Sequence, residues 1–146
     1  MNAADPHFES RVRQSFDRQA AMRTLGAAIE SVEPGRVVVA MLHREELTQQ
    51  HGFLHAGMLA AALDSACGYA AFSLMPADAA VLTIEFKINL LAPATGDRIV
   101  AEGFAVKPGR TLAVTRAEVH AERDGRRTLI AVMQQTLMVM HGKADE

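Results

Sequence analysis

The first part of the chain carries one amphipathic stretch and two short extended ones. Phe8, Val12 and Phe16 recur every four residues among charged neighbours, which is the spacing of a helix with one buried face. This pattern predicts an N-terminal helix over about residues 7–26. Two apolar stretches at residues 27–32 and 37–42 follow, joined by Pro34-Gly35, and they predict two antiparallel strands connected by a turn.

The longest apolar stretch, residues 58–75, has no polar face. It is rich in alanine and ends before Pro76, a residue that cannot continue a helix. A helix that is apolar nearly all round must be covered by protein on most of its sides. Because Asp64, Gly68 and serines interrupt the stretch, it predicts a core helix rather than a membrane span.

Four extended stretches with alternating side chains follow the apolar helix. They cover residues 81–90, 97–107, 111–123 and 128–140 and are separated by breaks that contain proline or glycine. A long curved antiparallel sheet wrapped around one central helix would bury both elements. The pattern therefore predicts an α+β fold in a single domain, residues 1–146, with an extra N-terminal helix and a core at about 27–140.

Composition and charge narrow the classes of partner and compartment. Hydrophobic residues make up 49% of the chain and charged residues 22%, and the formal net charge is −2. This balance is typical of a globular protein, and it provides no positive surface for nucleic acid or an anionic membrane. The N-terminus has no signal-peptide pattern and Cys67 is the single cysteine, so we expect a cytoplasmic protein.

Asp64 is the candidate for chemistry, because it is an ionisable residue inside the apolar helix. Burying a carboxylate costs several kcal/mol, roughly, unless partners hold it, so its presence there requires a reason. One interpretation is structural: the side chain reaches a groove or ties down a neighbouring loop. The other is catalytic, with Asp64 acting either as general base toward water or as nucleophile.

His55-Ala56-Gly57 stands where the loop becomes this helix. The first N–H groups of a helix have no partner within it, and the helix dipole adds positive potential at the same end. The segment is therefore a candidate oxyanion site. The other histidines form no His-x-x-x-His pair with a carboxylate, so no metal site is expected.

Three separated motifs resemble the PaaI-like acyl-CoA thioesterases, which have a hotdog fold. They are His55-Ala56-Gly57, Asp64 nine positions after His55, and the run from Val81 to Pro93. The resemblance implies hydrolysis of an acyl-CoA thioester by Asp64, with no cofactor besides the CoA of the substrate. It assigns the oxyanion donor to the N–H of Ala56, with Gly57 beside it, and gives His55 mainly the role of fixing the helix start.

The resemblance also implies secondary site residues. The family has an asparagine that positions water six residues before the histidine, where this chain has Gln49 followed by Gln50, and a hydroxyl residue where this chain has Thr83. The family's usual His-Gly-Gly is His-Ala-Gly here, an exchange that keeps the N–H of Ala56. Contacts to CoA are implied for residues of two strands and one turn: Asn89, Leu90, Lys107, Gly109, Arg110 and Thr111.

Members of the family form homodimers or homotetramers with the active site at the subunit interface. We therefore expect Asp64 to face the Ala56 and Gln49 of the partner subunit. Two rival functions use the same groove: a hotdog hydratase or dehydratase, and a non-catalytic acyl-CoA-binding module. The histidine-based motifs typical of the first are absent from the sequence.

Overall fold

The computed structural model describes residues 1–143. Two short helices, α1 (Phe8–Arg18) and α2 (Ala20–Leu25), precede strands β1 (Ala28–Glu33) and β2 (Arg36–Leu42). A 3-10 helix (Glu45–Leu47) leads to the long helix α3 (Ala56–Phe72). The remaining strands are β3 (Ala79–Leu90), β4 (Arg98–Lys107), β5 (Leu112–Arg123) and β6 (Arg126–His141). The predicted order of elements is confirmed.

The strands form one six-stranded antiparallel sheet in the order β1-β2-β4-β5-β6-β3. Its inner face packs against α3, whose residues Leu59, Leu63 and Phe72 are almost completely buried. The predicted architecture, a long antiparallel sheet around one apolar helix, is confirmed. Among the described residues β3 pairs only with β6, so it is an edge strand of the sheet.

The N-terminal helix differs from the prediction, since it breaks at Gln19. The backbone of Gln19 is extended (φ −73°, ψ 101°), so α1 and α2 are separate helices. In one continuous helix, at roughly 100° per residue, Leu25 would point away from the face that carries Phe16. The break lets both Phe16 and Leu25 reach the core, where each is 4% exposed.

Arg11 closes the C-terminal end of α3. Its guanidinium donates to the carbonyl oxygens of Phe72 (3.2 Å), Met75 (2.7 Å) and Pro76 (2.6 Å), and it lies 4.3 Å from the centre of the Phe72 ring. Its Nε also lies 3.2 Å from a carboxylate oxygen of Asp5. The carbonyl of Phe72 ends α3 and those of Met75 and Pro76 lie in the turn that follows, so one cation from α1 holds the helix end and this turn together and complements the helix dipole.

Arg11→Ala is expected to lower the free energy of unfolding by about 3 kcal/mol, because it leaves these carbonyls and Asp5 without their charged partner. Chemical denaturation of the wild type and the variant measures the difference. Arg13→Ala is the matched control: Arg13 pairs with Glu9 at the surface of α1 and makes only a long contact, 3.4 Å, to the carbonyl oxygen of Ile29, so its loss should cost less than about 1 kcal/mol. Equal losses in the two variants would contradict the capping role of Arg11.

Gly103 on β4 is the point of closest approach between the sheet and α3. A Cβ built at this position would lie 2.3 Å from the carbonyl carbon and oxygen of Ala66 and 2.7 Å from the backbone nitrogen of Cys67. No side chain can occupy that space unless the helix backbone moves. Gly103 therefore sets the distance between α3 and the sheet, and with it the position of every side chain that α3 presents.

Gly103→Ala is expected to lower the free energy of unfolding by about 3 kcal/mol or more, since one methyl group overpacks against backbone. Gly68→Ala on α3 is the matched control, because a Cβ there meets only Cδ2 of Leu137 at 3.8 Å. In a helix that exchange should raise stability by about 0.5–1 kcal/mol. Denaturation midpoints that moved in the same direction for both variants would refute the close approach.

The described helices were compared with the length and apolarity that a membrane-spanning helix needs. None of the helices within residues 1–143 is long and apolar enough to cross a bilayer.

Candidate active site

The side chain of Asp64 is half-buried on α3 and faces the edge strand β3. Its Oδ1 accepts two hydrogen bonds, one from Oγ1 of Thr83 on β3 and one from Nε2 of Gln135 on β6, both at 2.7 Å. Among residues 1–143 no hydrogen bond reaches Oδ2. One oxygen of the carboxylate is therefore held in place while the other is left for a substrate or water.

Gln135 completes this arrangement, and sequence reasoning missed it. It is 1% exposed, and its Nε2 also donates to Oγ1 of Thr83 at 2.8 Å. The sequence feature that could have revealed Gln135 is its inward position on β6, since Met133 and Leu137, two residues away on either side, are buried apolar residues. The adjacent Gln134, which is exposed, obscured it, because two successive glutamines do not reveal which of them faces the core.

Gln135→Leu is expected to lower kcat by roughly 10- to 100-fold with little change in KM, because the carboxylate loses one of the two donors that orient it. Steady-state assays of thioester hydrolysis measure both constants. The unfolding midpoint should not fall, since the buried Oε1 of Gln135 has no hydrogen-bond partner in the described structure. Gln14→Leu, at an exposed position on α1, is the control and should keep wild-type kinetics.

The first turn of α3 provides the second element of the site. His55 caps the helix: its Nδ1 accepts a hydrogen bond from the N–H of Gly57 at 2.9 Å. The N–H of Gly57 is thereby occupied. The N–H of Ala56 has no hydrogen-bond partner within residues 1–143, so of the two predicted oxyanion donors Ala56 is the one left available.

The loop before α3 holds both glutamines that were predicted to position water. Gln49 and Gln50 line a cavity of about 510 Å³ together with His55, Ala56 and Leu90, which we call the Ala56 cavity. The Oε1 of Gln49 accepts from the N–H of His51 in its own loop. The side-chain oxygen of Gln49 is therefore engaged within its own loop, and its amide nitrogen is the side-chain atom that is left for a ligand.

Asp64 and Ala56 do not meet within one chain. Asp64 lines a different cavity, of about 400 Å³, which we call the Asp64 cavity and which also includes Thr83. Eight residues of helix separate Asp64 from Ala56, a rise of roughly 12 Å along the axis. On β3, the Asp64 cavity lies beside Thr83 and the Ala56 cavity beside Leu90. The predicted catalytic residues thus form two half-sites near opposite ends of the edge strand.

The structure places Asn89 and Leu90, for both of which the resemblance implies contacts to CoA, in different cavities. Adjacent residues of a strand point to opposite faces of a sheet. Leu90 lies in the Ala56 cavity, whereas Asn89 lies with Lys87 and Arg116 in a separate cavity of about 460 Å³. Only Leu90 therefore shares a cavity with the predicted catalytic residues of its own chain.

Gly109, Arg110 and Thr111 occupy the turn between β4 and β5, and Lys107 is the last residue of β4. Leu112, just after this turn, pairs with Met138 on β6, and Met138 also pairs with Leu82 on β3. Leu82 is next to Thr83, so the turn lies at the end of the sheet that is nearer Asp64, two strands from β3. Lys107, Arg110 and Thr111 are exposed. A steric constraint explains the glycine at position 109 without any contact to CoA, since a Cβ there would lie 2.0 Å from the carbonyl oxygen of Leu112.

Cys67 is close to Asp64 in sequence but is not available as a nucleophile. It is completely buried, and burial raises the pKa of its thiol to about 12. The thiolate, which is the reactive form, is therefore scarce at neutral pH. In residues 1–143, no group of three or more His, Cys, Asp or Glu side chains is placed to hold a metal ion.

Comparisons with known proteins show the family and the fold of the chain. The chain matches the thioesterase superfamily over residues 51–128. It is similar to the crystal structure of a thioesterase family protein from Silicibacter pomeroyi, with 56% identity and a TM-score of 0.91 over 92% of this chain and 99% of that one. Acyl-coenzyme A thioesterase 13 from Homo sapiens is 30% identical over 106 residues, covering 71% of this chain and 75% of the human protein. The E. coli PaaI protein shares the fold, with a TM-score of 0.84 at 22% identity over 94% of this chain and 96% of that one.

Proposed function

The chain belongs to the thioesterase superfamily, and we propose that it hydrolyses the thioester bond of an acyl-CoA to give the free acid and CoA. The hotdog thioesterase family predicted from three motifs is thereby confirmed. Membership in this superfamily supports the activity of a thioester hydrolase. The choice of acyl-CoA and the roles of individual residues are our proposal, argued from the two half-sites.

The observation that carries the proposal is the carboxylate of Asp64, which has one oxygen anchored and one left open. Thr83 and Gln135 hold Oδ1, so Oδ2 has a fixed position at the Asp64 cavity. Fixing the reacting group before the substrate arrives removes an entropic cost from the transition state. A purely structural aspartate would have no need of an open oxygen in a cavity.

The reaction needs a base or nucleophile and a site for negative charge. Oδ2 of Asp64 either takes a proton from water as it attacks the thioester carbonyl, or attacks that carbon itself to form an anhydride that water then cleaves. In both routes the carbonyl oxygen becomes negative and the CoA thiolate leaves, taking up a proton. The N–H of Ala56 stabilises the oxyanion at the positive end of α3.

Because Asp64 and Ala56 of one chain are too far apart, the proposed site combines Asp64 with the partner subunit's Ala56. The edge strand β3 favours such pairing, since it exposes Leu82 (57%), Ile84 (51%) and Phe86 (46%). An edge strand with large exposed apolar side chains is a surface that another chain normally covers.

The geometry of β3 sets the register of the proposed dimer. Two β3 strands that pair antiparallel about a two-fold axis near Phe86 and Lys87 place Thr83 of one chain beside Leu90 of the partner subunit. Thr83 marks the Asp64 cavity and Leu90 the Ala56 cavity. This pairing therefore unites the half-sites twice per dimer, and it brings the partner subunit's Gln49 to the Asp64 cavity as well.

The other predicted site residues, near the turn between β4 and β5 and on β3, are proposed to contact the CoA part of the substrate. Lys107, Arg110 and Thr111 are exposed at the Asp64 end of the sheet, where cations and a hydroxyl suit phosphate groups. Asn89, beside Lys87 and Arg116, is a second candidate surface for the nucleotide. The proposed reaction uses water and protein groups, with no cofactor besides the CoA of the substrate, and a cytoplasmic location stays a prediction.

A thiol-release assay with purified protein over saturated, unsaturated and aromatic acyl-CoAs tests the proposal. We expect CoA to appear together with an equal amount of free acid. Hydration of an enoyl-CoA without release of thiol would favour the hydratase alternative. Binding of acyl-CoA without any turnover would favour the binding module, and either result would overturn the proposed hydrolysis.

A further inference from the structure

A row of polar side chains crosses the inner face of the sheet next to Asp64. Thr115 on β5 is 0% exposed and Gln135 on β6 is 1% exposed, and the two residues are paired across the strands. Gln135 donates in turn to Thr83 on β3, which completes the row. The inner-face neighbours of Thr115 and Gln135 along their own strands are buried apolar residues: Ala113, Ala117, Met133 and Leu137. Thr115 is therefore a polar exception beside Gln135, deep in an apolar layer.

The side chain of Thr115 connects two elements of the fold. Its Oγ1 donates to the main-chain carbonyl oxygen of Gln135 at 3.5 Å, and it also shares a hydrogen bond with the thiol of Cys67 on α3. Cys67 is completely buried, and it follows Asp64 by about one helical turn, so the two side chains project from the same side of α3. One hydroxyl thus contacts β6 at Gln135 and α3 close to Asp64.

We propose that Thr115 is a positioning residue for the reaction: it fixes Gln135 relative to α3 and thereby sets the direction of the Asp64 carboxylate. The inference rests on the proposed thioester hydrolysis and adds to it a residue that is too deeply buried to touch the substrate. Thr115 acts through Gln135, which donates directly to Asp64.

The reason lies in the geometry of the hydrogen bond between Gln135 and Asp64. Nε2 of Gln135 lies 2.7 Å from Oδ1 of Asp64, and the two residues belong to different elements, so a small shift of β6 against α3 lengthens or bends this bond. Oε1 of the same amide is buried and has no hydrogen-bond partner in the described structure. The amide is therefore held through its nitrogen, and its direction depends on how firmly the main chain of Gln135 is placed against α3.

A role in packing alone would not require the hydroxyl of Thr115. Valine has nearly the same shape and would fill the same space between Ala113 and Ala117 without a polar atom. Burial of a hydroxyl costs free energy unless hydrogen bonds compensate it. Both contacts of this hydroxyl go to the two elements that carry Gln135 and Asp64, which is the arrangement that a positioning role needs.

Kinetics of three single variants test the inference. Thr115→Val is expected to lower kcat for thioester hydrolysis by roughly 3- to 10-fold with little change in KM, because the carboxylate is less well oriented while substrate binding is untouched. Thr115→Ser keeps the hydroxyl and should stay within about twofold of the wild type. Thr128→Val, at an exposed position on β6, is the matched control and should keep wild-type kinetics. A serine variant as slow as the valine variant would assign the loss to packing and overturn the inference.

A double variant tests whether Thr115 acts through Gln135. In the Gln135→Leu background, Thr115→Val should lower kcat by no more than about twofold further, because the donor that Thr115 positions is already gone. Two losses that multiply in full would mean that Thr115 acts by another route, and this result would overturn the inference.

The side-chain amide signals of Gln135 separate this inference from the proposed hydrolysis. In protein labelled with ¹⁵N-glutamine they are assigned by their loss in Gln135→Leu. Since Nε2 donates to both Asp64 and Thr83, we expect slowly exchanging protons in the wild type. Thr115→Val should move these signals and speed their exchange, whereas Thr115→Ser should not. If the signals move but the wild type releases no thiol, hydrolysis fails while the link from Thr115 to Gln135 stands. Unchanged signals, or an unchanged kcat in an enzyme that releases thiol, would overturn the inference.

Discussion

Asp64→Asn is expected to lower kcat for thioester hydrolysis by roughly 100- to 10,000-fold, the range that general acid–base groups contribute. The asparagine carbonyl oxygen keeps the acceptor position for Thr83 and Gln135, so the side chain stays in place. Its amide nitrogen replaces Oδ2 and is neither a base nor a nucleophile. The loss therefore reports the chemistry of one oxygen rather than a change in structure. Thiol release under saturating acyl-CoA measures it.

Asp64→Ala serves as the comparison, because it removes both the open oxygen and the acceptor for Gln135. If the carboxylate acts chemically, both variants should fall to a similar residual rate. Unchanged turnover of every accepted substrate by Asp64→Asn would exclude catalysis by this residue. The acyl-CoA-binding module would then be the better interpretation of the cavity.

The elements of the fold could be predicted because each has a period or a break in the sequence. The spacing of Phe8, Val12 and Phe16, the all-apolar stretch before Pro76 and the alternation after Val81 all correspond to real elements. The break at Gln19 could not be predicted, since no proline or glycine marks it. Tertiary packing of Met22 and Leu25, both buried, decides it. The placement of β3 at the edge, next to β6, is likewise a property of the assembled sheet.

The site was predicted where a residue contradicts its surroundings. Asp64 stood out as a charge in an apolar helix, and the structure shows it hydrogen-bonded to Thr83, which the resemblance had named as a site residue without giving it this partner. Gln135 did not stand out, because a glutamine in a half-exposed strand is ordinary until its face is known. Asn89 and Leu90 were both assigned to CoA by the resemblance, and a resemblance does not reveal that the two adjacent strand residues lie in different cavities.

In the dimer proposed above, helix geometry is the reason that the site is divided between two chains. A spacing of eight residues on α3 keeps Asp64 and Ala56 on one rigid element yet about 12 Å apart, too far to act on one carbonyl group. The same rigidity fixes the distance between the two half-sites of a subunit. A two-fold axis near the middle of β3 then suffices to complete both sites at once.

Ala56→Pro is expected to lower kcat by roughly 100- to 1000-fold, the effect of losing one oxyanion donor. Ala56 is the first residue of α3, a position where proline is well tolerated, and its only necessary loss is the N–H. His55 before it is already extended (φ −63°, ψ 137°), as a residue preceding proline prefers. Ala56→Gly keeps the N–H and should stay close to the wild type. A fully active proline variant would mean that the oxyanion donor is not Ala56.

Mixing the two inactive variants distinguishes a shared site from a site within one chain. In a dimer of one Asp64→Asn chain and one Ala56→Pro chain, one of the two shared sites has both changes and the other has neither. Random association gives half mixed dimers, so activity should recover to about a quarter of the wild-type value for a symmetric dimer. Differently tagged chains, unfolded and refolded together, allow the mixed dimer to be isolated and assayed. If both groups acted within one chain, every chain would carry a defect and no activity would return.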